Sequence, residues 1–443
     1  MIKPLVGNFT LVFLLIFTGF SYSQEVISLQ KALEIGLMNN YSIILQKNDV
    51  DVLKNNNTLG NAGFLPTLNL NVSQNNNINT THQEQFGGTV KDIANGRSNT
   101  LNAGVQMNWT LFDGMNMFVS KKMLGTLEDL GENGTRIILE GAVSDISLTY
   151  YSIIQMQKLV RVARDAVELS EQRKRIATAK VSLGSGSQLM LLQSTVDLNA
   201  DSTRLINQLV MLESTCADFN QLLCRDPSTS LEIHDSIQLS APRSYDSIMQ
   251  DALRQNSRLT GVRLNQDLAR LNVRQAQSGR YPKLNLMTGY NFSTLNSQTG
   301  FLLYNRSYGP AYGLNLTYNL FNGFNVNRTV KNAKLLMNSA EIEVQDVGLG
   351  LKTILYKNHL EYKANLEIVK MQTVNITVAR QNVNIAFEKY KLGSINDIEL
   401  REIQQKLIDA EYQLILSQFE AKKAEVEIEQ LSGKLLERFT NNK

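Results

Sequence analysis

The chain has 443 residues, a formal net charge of +3 and only 6 prolines. So small and dispersed a charge gives no footing for nucleic acid, and so few breakers over this length favour long helices. Cys216 and Cys224 with three scattered histidines, His82, His234 and His359, form no metal-ligand spacing, and no nucleophile with a base beside it marks a catalytic or cofactor-binding site.

Residues 1–23 read as a signal peptide. Lys3 gives a positive start, Leu11 to Phe17 a short apolar stretch, and Ser21 and Ser23 small residues before a cleavage expected at Gln24. No apolar run after it suggests a transmembrane helix.

The rest of the chain is written twice. Leu111-Phe112-Asp113-Gly114 recurs as Leu320-Phe321-Asn322-Gly323, and Leu183-Gly184-Ser185 as Leu392-Gly393-Ser394, both 209 residues later. Phe64-Leu65-Pro66-Thr67-Leu68-Asn69-Leu70 parallels Arg280-Tyr281-Pro282-Lys283-Leu284-Asn285-Leu286 at an offset of 216, so a length difference falls in the polar segments between. The first repeat, 24–224, is predicted as a helix, a β-hairpin over 67–112, a long helix over 115–181 and a helix over 186–223. The second, 245–433, carries a helix, a hairpin over 283–321, a long helix over 324–391 and a helix over 395–432. A linker, 225–244, holds Pro227 and Pro242 around a short predicted strand, and 434–443 is a tail.

The hairpins alternate with period two. Leu68, Leu70 and Val72 face Asn69, Asn71 and Ser73; Leu101, Ala103, Val105, Met107, Trp109 and Leu111 alternate with Asn102, Gly104, Gln106, Asn108 and Thr110; Tyr312, Leu314, Leu316, Tyr318 and Leu320 alternate with Gly313, Asn315, Thr317 and Asn319. One face is apolar and the other uncharged and polar, in strands of about 10 residues, which suits a tilted membrane strand with a watery inner face. Trp109, Phe112, Tyr312, Tyr318 and Phe321 are the expected interfacial aromatics. Four strands cannot close a barrel and lipid tolerates no open edge, so this reading requires oligomers; three copies supply twelve strands.

The long helices run without proline for nearly 70 residues each, about 100 Å. In the shorter ones a seven-residue ladder, Leu191, Leu198, Leu205, Leu212 and Phe219, matches Leu400, Leu407, Leu414, Ala421 and Ile428, a seam for neighbouring helices. At Gly184 and Gly393 the chain turns back, forming two tips at one end. Eight residues of helix, about 12 Å, hold Cys216 too far from Cys224 for a disulfide while the helix persists, so that only fraying there would allow an oxidised pair; Cys224 is read as structural.

In its duplicated Pro-x-Leu-x-Leu strand starts at Pro66 and Pro282, its Leu-Phe-x-Gly strand exits, the Tyr390-x-x-Gly393 tip and the Gln221–Pro227 helix end, the chain resembles the TolC-like outer-membrane factors. The resemblance covers essentially the whole mature chain. It implies an α plus transmembrane-β fold, a homotrimer with a twelve-stranded outer-membrane barrel above a periplasmic helical tunnel. It also implies docking on a periplasmic adaptor (membrane fusion) protein of an inner-membrane pump of RND, ABC or MFS type, and passive conduction rather than catalysis.

By the same resemblance the adaptor-docking tips are Leu183, Gly184, Ser185, Leu392, Gly393 and Ser394. Tyr390, Glu399 and Glu402 fall where the family places its periplasmic gate. Ile395 stands where a basic residue is expected, so the family's latch is not reproduced, and Glu402 lies four residues before Lys406, as in an ordinary helical ion pair. The rival reading is a periplasmic coiled-coil adaptor or structural protein.

Overall fold

The structure is a computed structural model; it describes residues 26–84, 86–299 and 302–440, and the predicted signal peptide lies outside them. Its elements follow the two repeats. The first holds α1 (Leu29–Asn39), α2 (Tyr41–Asn56), β1 (Thr67–Glu84), β2 (Val90–Phe112), α3 (Asn116–Ser182) and α4 (Gln188–Leu222). The second holds α5 (Tyr245–Gln255), α6 (Ser257–Ser278), β3 (Lys283–Ser297), β4 (Tyr304–Thr317), α7 (Asn325–Lys391) and α8 (Asp397–Leu431), and α9 (Leu435–Thr440) ends the described chain.

The single helix expected before each hairpin is two helices. Asn40 and Asn256, 216 residues apart, take extended backbone and cap the helix that follows, Asn40 Oδ1 accepting from Ser42 N at 2.9 Å and Asn256 Oδ1 from Leu259 N at 2.9 Å. Ser28 and Ser244 cap α1 and α5 in the same way. An extended Asn satisfies the next helix's free N–H groups, which a contiguous helical pattern in the sequence hides.

The sheet order is β1-β2-β3-β4, all antiparallel, leaving β1 and β4 as edges. Its register sorts the side chains. Val72, Ala103, Phe292 and Tyr308 lie in one row across the sheet; Leu70, Val105, Tyr290 and Pro310 lie in the next; Asn71, Gly104, Asn291 and Gly309 form the polar row between them. Paired residues share a face, so the period-two pattern of four separate segments becomes one apolar surface backed by one polar surface.

Three details correct the expected strands. They run from 14 residues in β4 to 23 in β2, longer than about 10. A bulge after Thr110 leaves Leu111 unpaired, and Phe112 takes its place on the apolar face opposite Leu284. The second hairpin ends at Thr317, so Tyr318, Leu320 and Phe321 lie beyond β4.

The helices α3 and α7 each span 67 residues, about 100 Å. Each begins after a left-handed Gly-X pair, Gly114-Met115 and Gly323-Phe324, which swings the chain out of the strand. One stretch of α3 is long and apolar enough to cross a membrane, and 44% of it is buried inside the protein. Val143, Ile146, Tyr150, Ile153 and Ile154 form a core there with α1, Phe219 and Leu223.

The second repeat builds its own core from Ile248, Leu259, Leu355, Tyr362, Ala421 and Ile428. In α8 the ladder residues Leu400, Leu407, Ala421 and Ile428 are buried, whereas in α4 only Phe219 is. The linker does not form a strand: Val26 and Glu232 make one parallel bridge, and Ile233 anchors the segment in the first core. The predicted tail is also more than a tail, since Leu435 at the start of α9 packs into that same core.

Candidate functional site

Both helical hairpins end in the same turn. Gly184 and Gly393 take left-handed φ values of 70° and 75°. Gly184 N donates to Val181 O and Ser185 N to Lys180 O; Gly393 N donates to Tyr390 O and Ser394 N to Lys389 O. This pattern closes a helix end, and a Cβ is disfavoured at its left-handed position. Leu183 and Leu392 stand at the two turns, each 81% exposed. Ser187 and Asn396 then cap α4 and α8.

The turns sit side by side. Lys180 Nζ donates to Tyr390 O at 2.9 Å and lies 4.1 Å from the centre of the Tyr390 ring. Tyr390, expected as a constriction aromatic, is instead 1% exposed and packs with Ala386, Leu400, Ile176 and Ile403. Its ring fills the gap between the hairpins of its own chain, so it presents no free surface. Burial and then the Asp397 carboxylate push its phenol up to about 12.

The other two expected gate positions, both acidic, are exposed. Glu399 completes a capping box, its carboxylate accepting from Asn396 N and its own N–H donating to Asn396 Oδ1. Glu402 pairs with Lys406 at 2.9 Å, and that hydrogen bond and charge hold its carboxyl below the usual range.

One helical turn or more above the tip lies a cluster that sequence reasoning missed. Arg173, fully buried on α3, contacts Asp197 of α4 and places Nε 3.3 Å from Asp397 Oδ1 of α8. Arg401 grips Asp201 with two bonds of 2.8 and 3.0 Å, and Ser170 donates to the same carboxylate. Burial works against charge on Arg401, but the bond to Asp201 and the nearby aspartates outweigh it and raise its pKa. A signal existed: Asp197 and Asp201 are like charges four residues apart, which repel on an isolated helix and so demand cations from another element.

At the opposite end the expected interfacial aromatics divide. Trp109 Nε1 donates to Phe64 O at 2.8 Å, fixing the ring at the strand end, and Phe112, Tyr318 and Phe321 lie at the same level, with Phe321 edge-on to Phe324 at 5.3 Å. Tyr312 lies within β4 opposite Thr288, so it belongs to the apolar face rather than the rim. Phe64, Phe118, Tyr281 and Phe324 join this level, none of them among the aromatics expected there from the sequence. Cys216 and Cys224 are free thiols, and among the described residues no cluster could hold a metal.

The profile of the family described as "Outer membrane efflux protein" matches residues 248–434. The protein is 22% identical to "Outer membrane protein TolC" of Salmonella enteritidis over 72% of this chain and 67% of that one. It is 20% identical to the protein of the same name from Vibrio cholerae serotype O1, over 86% of this chain and 84% of that one. The Campylobacter jejuni CmeC outer membrane channel superposes with a TM-score of 0.77 at 15% identity, covering 100% of this chain and 96% of that one. For the outer membrane protein VceC of Vibrio cholerae the TM-score is 0.75 at 12% identity, over 91% and 96%. With its two-faced sheet and paired 67-residue helices, the chain has the fold of the TolC-like outer-membrane efflux proteins and is similar to them in sequence, its sheet seated in the outer membrane of a Gram-negative cell and its helical portion in the periplasm.

Proposed function

We propose that the protein is one protomer of a homotrimeric duct, passively conducting substrates outward for a periplasmic adaptor and an inner-membrane pump, and catalysing no reaction. The observation that carries this reading is the open-edged sheet. β1 and β4 have unpaired outer edges and run antiparallel to each other, so β4 of one copy can pair with β1 of the next. Three copies of four strands close a twelve-stranded barrel, with the Asn-, Ser- and Gly-lined face inward.

The helices support the same assembly. Leu335, Ile342, Leu349 and Tyr356 on α7 repeat every seven residues, as do Met371, Val378, Ile385 and Leu392, and all are exposed in the single chain. Leu189, Val196 and Val210 give α4 a comparable exposed row. Such seven-residue rows serve as seams between helices. The tips at Leu183, Gly184, Ser185, Leu392, Gly393 and Ser394 then form the adaptor-facing rim, with Glu399 and Glu402 as a carboxylate ring near the entrance that favours cations.

Purified protein should run as a trimer in detergent and open aqueous conductance in planar bilayers. A water-soluble monomer, stable without detergent, would overturn the reading.

A further inference from the structure

The charges nearest the periplasmic end of the sheet are nearly all of one sign. Below β2, Lys121 and Lys122 are the only charges between Asp113 and Glu128. Below β4, Arg328, Lys331 and Lys334 come before the first acid, Glu341. Ahead of β3, Arg270, Arg274, Arg280 and Lys283 follow Asp267, which pairs with Arg270. The single acid at this level, Asp113, accepts from Met117 N at 3.2 Å and so caps its helix. With Arg270 set aside, since it pairs with Asp267 and reaches Glu341 at 4.0 Å, eight cations against one acid is no balanced helix surface.

Some of these cations line a groove. Directly beneath the β2–β3 pair, the start of α3 and the end of α6 enclose an open cleft of about 620 Å³. Lys122, Arg274 and Arg280 supply its charge, and Met115, Phe118 and Tyr281, each more than half exposed, supply apolar wall. Among the described residues neither Lys122 nor Arg274 has an ion-pair partner, and Arg280 reaches only Asn327 Oδ1 at 3.2 Å. The cleft is held shut at the top because Gly114 comes so near α6 that a Cβ there would lie 2.5 Å from Ser278 O.

We infer that this cleft binds the phosphodiester headgroup of an anionic glycerophospholipid of the inner leaflet. The inference rests on the seating of the sheet in the outer membrane. Guanidinium and ammonium groups without carboxylate partners complement a phosphate, and Arg can chelate it with two N–H groups. The exposed aromatic and thioether walls suit glycerol and upper acyl carbons, which free phosphate lacks. Immediately above, Phe112, Leu284 and Leu286 begin the apolar face along which acyl chains would run. Lipopolysaccharide phosphates belong to the opposite leaflet, at the far ends of the strands. Basic pockets beside spanning segments are a recurrent form of headgroup recognition.

The test is native mass spectrometry of the full protein in mild detergent with equimolar phosphatidylglycerol and phosphatidylcholine. The parent should retain phosphatidylglycerol preferentially. At about fivefold per cation near the surface, Lys122→Gln/Arg274→Gln/Arg280→Gln should cut that preference at least tenfold, and Lys122→Arg/Arg274→Lys/Arg280→Lys should keep most of it. If the triple Gln variant does not fold by circular dichroism, Arg274→Gln alone should lower the preference. A parent without preference, a folded Gln variant that keeps the parent's preference, or release of the lipid by millimolar inorganic phosphate would each overturn the inference. Failure to float with lipid vesicles at all would instead refute the membrane seating.

Discussion

Removing Arg401 should loosen the helical tip far more than its partly exposed position suggests. Its guanidinium makes two short bonds to Asp201, a carboxylate 1% exposed. In Arg401→Leu that carboxylate keeps Ser170 as a donor and a distant Arg204 at 3.9 Å, but loses its main counter-charge. Breaking a buried pair from one side costs about 3–5 kcal/mol. Arg401 itself is 21% exposed, so the lower end, about 3 kcal/mol, applies. At 1.4 kcal/mol per decade this is about a hundredfold in a local opening equilibrium.

Hydrogen exchange of the amides in 188–201 and 397–404 reads it directly. Those segments should exchange about a hundredfold faster, while the sheet amides and the core around Tyr150 keep the parent rates. Arg401→Leu with Asp201→Asn should recover part of the protection, because no charge is then stranded. Parent-like exchange in the single variant, or a double variant whose loss is the sum of the two singles, would refute a coupled buried pair.

Further outcomes follow from other parts of the fold. Cys224 holds φ 55° where the second repeat has Gly433 at φ 73°; Cys224→Gly should therefore raise stability by about 1 kcal/mol in denaturant titrations. Gly433→Ala should lower it, since the added Cβ would lie 2.6 Å from Gln255 O. Val105→Arg, central on the apolar face between Leu70 and Tyr290, should impair barrel assembly by about 2–4 kcal/mol, whereas Asn291→Arg on the polar face should insert normally. Burial and then Lys363 lower the His359 pKa from 6.5. Its contribution is therefore complete above that value and lost as pH falls below it through the folded pKa; His359→Gln should flatten the difference in thermal stability between pH 7 and 5. Glu399→Gln/Glu402→Gln should reduce cation selectivity in planar bilayers, and unchanged selectivity would remove the proposed carboxylate ring.

The duplication, the two-faced strands and the long helices could be read from the residues alone because each is a periodic or repeated property. Alternating side chains or a seven-residue ladder are local consequences of backbone geometry, and the left-handed turns at Gly184 and Gly393 are marked by residues that tolerate them. Which positions lose their partners or gain them across the fold is not local. Tyr390 looked free for a constriction until α3 and α8 closed around it, and Leu111 looked lipid-facing until a bulge handed its place to Phe112. Arg173, Arg401 and the three aspartates are ordinary helix charges in one dimension. Only the packing of α3, α4 and α8 removes their water and makes each charge depend on the others. Sequence period set the elements; long-range desolvation and register, which depend on residues as far apart as 231 positions, decided the site.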